Sequence, residues 1–216
     1  MTIELNGYNF SVYAWIARLA LHEKGVAYTW FEVNPFAPDL PQRYIDKHPF
    51  GRVPALIHDR VCIYETGAIT RYIDEAFDGP ALQPTAPKDR ARVNQVISVV
   101  DSYVYWPLVR QVFSHGVFRP RDGRPHDPAE VERGLAEAPK ILSALERLAG
   151  GGPFLVGDRL TLADIHLAPM LSYFAEHPRG AELLLTLPRL ADWRVAVGKR
   201  EAFLQTRAQL PGPALP

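Results

Sequence analysis

The proline-rich segment Gly79–Pro87 most constrains the fold, because it divides the chain into two parts of different character. It holds three prolines and one glycine within nine residues. Proline lacks a backbone N–H and glycine favours irregular backbone, so neither a helix nor a central strand fits here. We therefore predict one domain at residues 1–79, a linker at residues 80–87 and a second domain at residues 88–216.

Strand and helix patterns alternate before the linker. Short strand-like runs lie at Thr2–Tyr8, Tyr28–Val33, Pro54–Ile57 and Val61–Tyr64. After Ser11 the apolar spacing predicts a helix that ends near Gly25, since serine caps helix N-termini and glycine follows their C-termini. A short helix within residues 40–48 and a helix at Thr66–Ala76 complete the order β-α-β-α-β-β-α. The short link between the last two strands predicts an antiparallel hairpin.

The part after the linker predicts helices throughout. A long helix is expected at residues 88–115 with a kink at Pro107, followed by a polar loop at residues 116–128. A helix at residues 129–149 and two shorter helices, at 187–197 and 200–208, follow the same periodicity. Thr161 with Asp164 three residues later predicts a capping box at the start of a buried helix, which gives Asp164 a structural role.

Composition excludes several classes of protein. The 24 basic and 24 acidic residues balance, so no nucleic-acid or anionic-membrane surface is indicated. No apolar run approaches the length of a membrane span, the first ten residues do not read as a signal peptide, and the histidines show no metal-ligand spacing. The single cysteine, Cys62, indicates a reducing, cytoplasmic setting, and we expect it to be buried in the fourth strand.

Two short motifs predict a ligand site. Val53-Pro54 opens a strand, and a cis bond there would turn the Val53 backbone toward an extended peptide. Thr66 is the expected cap of the next helix, whose first N–H groups attract a carboxylate, and Glu65 would hold an ammonium. A peptide-like ligand with an α-carboxylate and an α-amine suits this set. The alternative is an ordinary strand start and an ordinary helix cap.

These motifs, together with the run Gly157–Asp164, resemble the glutathione transferases, most closely the serine-type phi and theta groups and their bacterial relatives. Thr66 stands where these proteins usually carry serine. The resemblance implies a thioredoxin-like α/β N-terminal domain plus an all-α C-terminal domain. It also implies glutathione as co-substrate, a small hydrophobic electrophile as second substrate, a role in detoxification, and a homodimer without metal.

Ser11 is the candidate catalytic residue. A free thiol has a pKa near ~8.5 and is mostly protonated at neutral pH. A hydroxyl donor and a helix N-terminus both lower that pKa, and Ser11 stands where the first strand meets the first helix. The resemblance assigns Ser11 this role. Tyr8 and Tyr13 are alternative donors, and Ser11 could instead be only a helix cap. No cysteine lies there, which argues against mixed-disulfide chemistry through the protein.

The resemblance further implies that Arg52, Val53, Pro54, Glu65 and Thr66 hold glutathione. Family members often carry lysine or histidine in the loop after the second strand, where it binds the glycine carboxylate. Asp39 has the wrong sign for that task in the matching stretch. Arg43, Lys47 or Arg52 are the possible substitutes, and the sequence does not choose among them.

The electrophile is expected between the first helix and the long helix after the linker. Its candidate wall residues are Tyr13, Tyr103, Trp106, Arg110 and Phe113. An aromatic stripe at helical spacing is also typical of a core, so this assignment has a structural alternative. A non-catalytic binding module, and a glutathione-dependent isomerase or peroxidase, are the competing functions.

Overall fold

The computed structural model describes residues 2–212, and the predicted outer limits of the two domains, Met1 and Pro216, lie outside that range. The chain separates into two compact units, residues 1–83 with 201–208, and residues 84–200 with 209–216. The helices are α1 (Val12–Glu23), α2 (Gln42–Ile45), α3 (Thr66–Ala76), α4 (Pro87–Val99), α5 (Val100–Phe118), α6 (Pro128–Leu148), α7 (Leu162–Phe174), α8 (Pro178–Leu185), α9 (Pro188–Gly198) and α10 (Glu201–Thr206).

The first unit contains a four-stranded sheet in the order β2-β1-β3-β4. The strands are β1 (Ile3–Gly7), β2 (Thr29–Glu32), β3 (Ala55–His58) and β4 (Val61–Tyr64). The first two strands are parallel, and β3 is antiparallel to both β1 and β4. This arrangement confirms the predicted α/β N-terminal fold, with a parallel βαβ unit followed by a hairpin.

Helix α1 is the buried helix of this unit, and it begins and ends where the sequence predicts. Ser11 caps it, and Gly25 follows it with φ of 68°. The buried Lys24 donates to Asp74 at 3.3 Å and to the carbonyl oxygen of Pro80 at 3.2 Å, so the segment after α3 is tied to the end of α1.

Helix α10 belongs to the first unit, although the sequence pattern grouped it with the other late helices. The indole N–H of Trp15 donates to the Thr206 hydroxyl at 2.9 Å, and the Trp15 and Phe203 rings lie 5.1 Å apart. Both Trp15 and Thr206 are essentially inaccessible to solvent. Helix α10 thus completes the core around α1.

In the second unit, the long helix continues further than predicted. Helix α4 passes directly into α5, which is wound in the wider π pattern, and the turn Arg119–Arg121 extends it into the predicted loop. Pro107 lies inside α5, where the sequence predicts a kink. The backbone of α6 approaches this point closely, because a Cβ on Gly134 would lie 2.5 Å from the Pro107 carbonyl oxygen.

Helix α7 is the centre of the second unit and starts with the predicted capping box. The next helix, α8, was not predicted from the sequence. Pro178 and Gly180 both read as helix breakers, but proline is well tolerated in the first turn of a helix. A Cβ on Gly180 would lie 2.2 Å from the Phe174 carbonyl oxygen, so glycine is required by the close approach of α7.

Two local expectations were wrong. Cys62 is exposed rather than buried, because β4 is an edge strand of the sheet and this side chain lies on a face that nothing covers fully. Thr66 is the first residue of α3 and not its cap, since Glu65 stands before the helix with φ of 70°. Among the described helices, none combines the length and the apolar character needed to cross a membrane.

Candidate functional site

Strand register brings the predicted site residues of the first unit to one edge of the sheet. Asn6 of β1 pairs with Ala55 of β3, and Ala55 pairs with Tyr64 of β4. The next position on each strand leads out of the sheet at the same edge. The chain therefore enters the Ser11 loop from β1, arrives at β3 through Val53 and Pro54, and leaves β4 into Glu65.

Ser11 lies at the N-terminus of α1 with an extended backbone. Its hydroxyl oxygen accepts the Ala14 backbone N–H at 3.3 Å, and its own N–H donates to the Tyr8 carbonyl at 2.8 Å. The side chain is half-buried. Because the oxygen acts as acceptor in the cap, its proton is left to donate elsewhere.

The turn before β3 is built on buried aromatic side chains. The Val53-Pro54 bond is cis, as predicted, and Gly51 has φ of 61°. The Tyr44 hydroxyl donates to the Arg52 carbonyl, and burial raises the pKa of Tyr44. His48, which is 2% exposed, lies 4.9 Å from the Tyr64 ring. Burial lowers the pKa of His48, so this ring packs as a neutral group.

Glu65 and Thr66 form the start of α3. The Glu65 carbonyl accepts both the Ala68 and the Ile69 N–H at 2.9 Å, and its side chain is exposed. Thr66 is 7% exposed. Helix geometry leaves the first N–H groups of α3 without a carbonyl partner inside the helix, which makes this start suitable for an anion. A positive φ at a glutamate costs of order 1–3 kcal/mol and is concentrated at functional sites.

The candidates for the glycine carboxylate differ in their surroundings. Lys47 lies 3.5 Å from Glu4 and 3.4 Å from the Asn6 side-chain oxygen, so its charge is already balanced within the sheet. Arg43, Arg52 and Asp39 are exposed. The two arginines are therefore better placed than Lys47 to meet a carboxylate.

The predicted electrophile residues are distributed over both units. Tyr13 lies half-buried in the first unit. In the second unit Tyr103 and Trp106 are 63% and 59% exposed, and Arg110 is half-buried. Phe113 is 3% exposed and stacks on Tyr173 at 4.1 Å, so it packs as a core residue of its unit. The pocket itself stays a prediction.

A set of contacts around the Ser11 loop was not predicted from the sequence. The carboxylate of Glu32 accepts the Asn9 backbone N–H at 2.9 Å and the Trp30 indole N–H at 2.9 Å. Arg18 donates to the Asn9 side chain at 3.2 Å and lies over the Trp30 ring at 5.3 Å. One sequence signal was present, because residues 30 and 32 lie on the same face of a strand.

Family models match both parts of the chain. The N-terminal domain of glutathione S-transferase matches residues 5–81, and the C-terminal domain of glutathione S-transferase matches residues 128–196. Within the described residues, no group of three or more His, Cys, Asp or Glu side chains is arranged to hold a metal ion.

Curated relatives and solved structures agree with these matches. Glutathione S-transferase F13 of Arabidopsis thaliana is 32% identical over 95% of this chain and 94% of its own. Glutathione S-transferase III in apo form has a TM-score of 0.85 at 28% identity, with 100% of both chains covered. The theta-class glutathione S-transferase of Xanthomonas axonopodis pv. citri, solved with glutathione bound, has a TM-score of 0.82 at 26% identity, covering 98% of this chain and 99% of that one. This similarity along almost its whole length shows that the chain belongs to the glutathione S-transferase family.

Proposed function

We propose that this glutathione S-transferase activates the thiol of glutathione with Ser11 and joins it to a small hydrophobic electrophile. The observation that carries the proposal is the shared sheet edge, where the Ser11 loop, the turn at Val53 and Pro54, and the start of α3 follow adjacent strand ends. A tripeptide that spans this edge meets a hydroxyl donor, an extended backbone and a helix N-terminus.

Thiol activation follows from the local geometry of Ser11. Its oxygen accepts the Ala14 N–H at 3.3 Å, so the hydroxyl proton is not used in the cap and can be donated to a sulfur atom. A hydrogen bond to the thiolate and the partial positive charge of the α1 N-terminus both favour the ionised form. Lowering the thiol pKa by about one to two units corresponds to about 1.4–2.7 kcal/mol, which two such effects supply together.

The remaining groups orient glutathione. The backbone of Val53 before Pro54 pairs with the cysteinyl part, and the start of α3 at Thr66 binds the γ-glutamyl carboxylate. The exposed Glu65 carboxylate binds the ammonium group of the same residue. Arg52, or Arg43, binds the glycine carboxylate, because Lys47 is engaged by Glu4 at 3.5 Å.

The thiolate then attacks the electrophile by substitution or by Michaelis-type addition. The exposed rings of Tyr103 and Trp106 are proposed to contact this second substrate, together with Arg110 of the same helix. We further propose a detoxifying role, a cytoplasmic location and a homodimer. Sedimentation of the purified chain tests the dimer, and a mass of a single chain at micromolar concentration would contradict it.

The role of Ser11 is tested with two variants that differ in their effect on the helix cap. Alanine at an N-cap costs about 0.5–2 kcal/mol of stability, whereas glycine costs only a few tenths. If the hydroxyl activates the thiol, Ser11→Ala and Ser11→Gly both lower turnover by about ten-fold or more. Ser11→Thr retains the hydroxyl and is expected to keep most of the rate.

The matched control is Ser102→Ala, which removes an exposed hydroxyl in the second unit. Rates are measured with a chromogenic electrophile at saturating glutathione. A Ser11→Gly protein with unchanged turnover would refute the role of Ser11. Tyr8 would then be the next candidate for the hydroxyl that donates to the thiol.

A binding module without catalysis is the second candidate, and the exposed Asp39 at the expected glycine-carboxylate position favours it. Retention on immobilised glutathione, without conjugation of any tested electrophile, would support that function. Glutathione-dependent isomerisation or peroxide reduction uses the same site, and product analysis with maleyl-type substrates and hydroperoxides separates these activities from conjugation.

A further inference from the structure

A closed set of contacts surrounds the loop that carries Ser11. Glu32, at the end of β2, accepts the backbone N–H of Asn9 and the indole N–H of Trp30, each at 2.9 Å. Arg18, two turns into α1, donates to the Asn9 side-chain oxygen at 3.2 Å and covers the Trp30 ring at 5.3 Å. We define these four side chains as the Asn9 clamp. It joins β2, the Ser11 loop and α1.

The position of the clamp follows from strand register. Glu32 pairs with Gly7, the last residue of β1, so the carboxylate lies at the sheet edge where the chain leaves for Ser11. The Val33 N–H donates to the Gly7 carbonyl at 2.7 Å, which extends the pairing beyond the strand end. The clamp therefore acts on the loop from the edge of the candidate site.

Packing below the loop holds the Trp30 ring of the clamp, whereas Glu32 itself is exposed. A Cβ on Gly7 would lie 2.6 Å from the Trp30 ring and 2.9 Å from the Ala14 Cβ. The Trp30 ring and Ala14 of α1 therefore both pack directly against the backbone of Gly7 in β1. The loop itself is short, since the Ser11 N–H donates to the Tyr8 carbonyl at 2.8 Å. Fixing the Asn9 backbone thus fixes the entry of Ser11 into α1.

We propose that Glu32 is a positioning residue, which holds the Ser11 hydroxyl in place for the reaction through the Asn9 clamp. This inference rests on the proposed function. Glu32 does not touch the substrate in this proposal. It fixes the direction of the Ser11 hydroxyl and of the first N–H groups of α1. Because these groups stabilise the thiolate, Glu32 thereby affects the fraction of bound glutathione that is ionised.

A carboxylate is required at this position because two N–H groups converge on it. Each of its oxygens accepts one of them, whereas a glutamine offers a single acceptor oxygen and turns an N–H2 group toward the other donor. Glu32→Gln therefore breaks one arm of the clamp with almost no change in volume, and Glu32→Ala breaks both. The control is Asp78→Asn, which removes one exposed negative charge from the same unit.

The readout is the pH dependence of kcat/KM for the electrophile at saturating glutathione, which reports the pKa of the bound thiol, with the ultraviolet absorbance of the bound thiolate as a second measure. Displacing the donors raises the pKa of the bound thiol, so Glu32→Ala is expected to lower kcat/KM about ten-fold at neutral pH, which equals about one pKa unit. At high pH the thiol ionises without help and the variant approaches the natural protein. Glu32→Gln is expected to have a kcat/KM between those of Glu32→Ala and the natural protein. Asp78→Asn should leave the pH profile of kcat/KM unchanged.

A purely structural role would lower activity equally at every pH or leave it unchanged. Either result with a folded Glu32→Ala protein would overturn the inference. Amide hydrogen exchange gives a readout that needs no substrate, because the Asn9 N–H should exchange faster in Glu32→Ala. Unchanged exchange at Asn9 would also overturn it.

The failure of this inference is distinguishable from that of the proposed function. If Ser11→Gly loses activity while Glu32→Ala keeps the natural pH profile, only the positioning role is wrong. If the natural protein neither ionises glutathione nor conjugates an electrophile, both proposals are wrong. A double-mutant cycle of Glu32→Gln with Arg18→Met adds a test of the clamp, since strictly additive effects would contradict a single connected unit.

Discussion

Asp164 makes the most specific prediction about stability, because its buried carboxylate satisfies four donors. One oxygen accepts the Leu155 N–H and the Trp193 indole N–H, each at 2.8 Å. The other accepts the Thr161 N–H at 2.7 Å and its hydroxyl at 2.8 Å. The side chain is wholly inaccessible to solvent. The carboxylate thus ties the loop before α7, the start of α7 and helix α9 together.

The expected magnitude follows from the donors that Asp164→Ala leaves without a partner. The Thr161 hydroxyl can rotate, but the Leu155, Thr161 and Trp193 N–H groups are fixed. A buried donor without a partner costs about 1–3 kcal/mol. Burial raises the pKa of Asp164, so removing the charge returns part of its desolvation cost. We therefore expect a loss of about 3–5 kcal/mol in the free energy of unfolding.

Urea unfolding monitored by tryptophan fluorescence measures this loss. The exposed Asp192 lies beside Trp193 on α9, so Asp192→Ala is the matched control and should change stability by less than about 0.5 kcal/mol. Asp164→Asn keeps one acceptor oxygen, so its loss of unfolding free energy should lie between those of Asp164→Ala and Asp192→Ala. A loss below about 1 kcal/mol for Asp164→Ala would refute the reasoning, since it would mean that these donors find other partners.

Two further predictions concern titratable groups. Burial, followed by the charge of Arg119, holds the pKa of His115 below its ordinary value of 6.5, and its Nδ1 atom accepts the Asp127 N–H at 2.9 Å. The unfolded chain therefore protonates His115 more readily than the folded protein does. The stability that neutral His115 supplies is fully present above pH 6.5. It is lost as the pH falls from 6.5 toward the lower pKa of the folded protein. His115→Asn keeps an acceptor without titrating, so its urea midpoint should fall less on acidification; an equal fall would contradict this role. Partial desolvation also raises the pKa of the Cys62 thiol, which donates to the Lys47 carbonyl at 3.4 Å although the residue as a whole is exposed. This thiol should therefore be alkylated more slowly than free glutathione at neutral pH, and faster alkylation would contradict this expectation.

Local sequence rules predicted most of the elements. Ser11, Gly25 and the pair Thr161 and Asp164 are short-range signals, since a cap or a capping box involves residues within a few positions of one another. The proline-rich segment Gly79–Pro87 likewise precedes a change from mixed to helical structure. Helix α8 was not predicted because Gly180 is required by the close approach of α7, and this long-range contact is not visible in the local sequence.

The candidate site was predictable only in part. Ser11, Val53, Pro54, Glu65 and Thr66 carry recognisable motifs, and their roles stay predictions. The Asn9 clamp was not recognised, because it joins residues 9, 18, 30 and 32 through contacts that depend on strand pairing and on the direction of α1.

The sequence by itself determined where α1 begins and ends and where α7 begins, because caps and glycines act on the nearest few residues. Only the tertiary structure decided that Cys62 faces solvent, that α10 completes the core around Trp15, and that Glu32 holds the loop before Ser11. These outcomes depend on which strand lies at an edge and which distant segments meet. That is decided by the packing of the whole chain, since burial and long-range hydrogen bonds join residues that no local pattern connects.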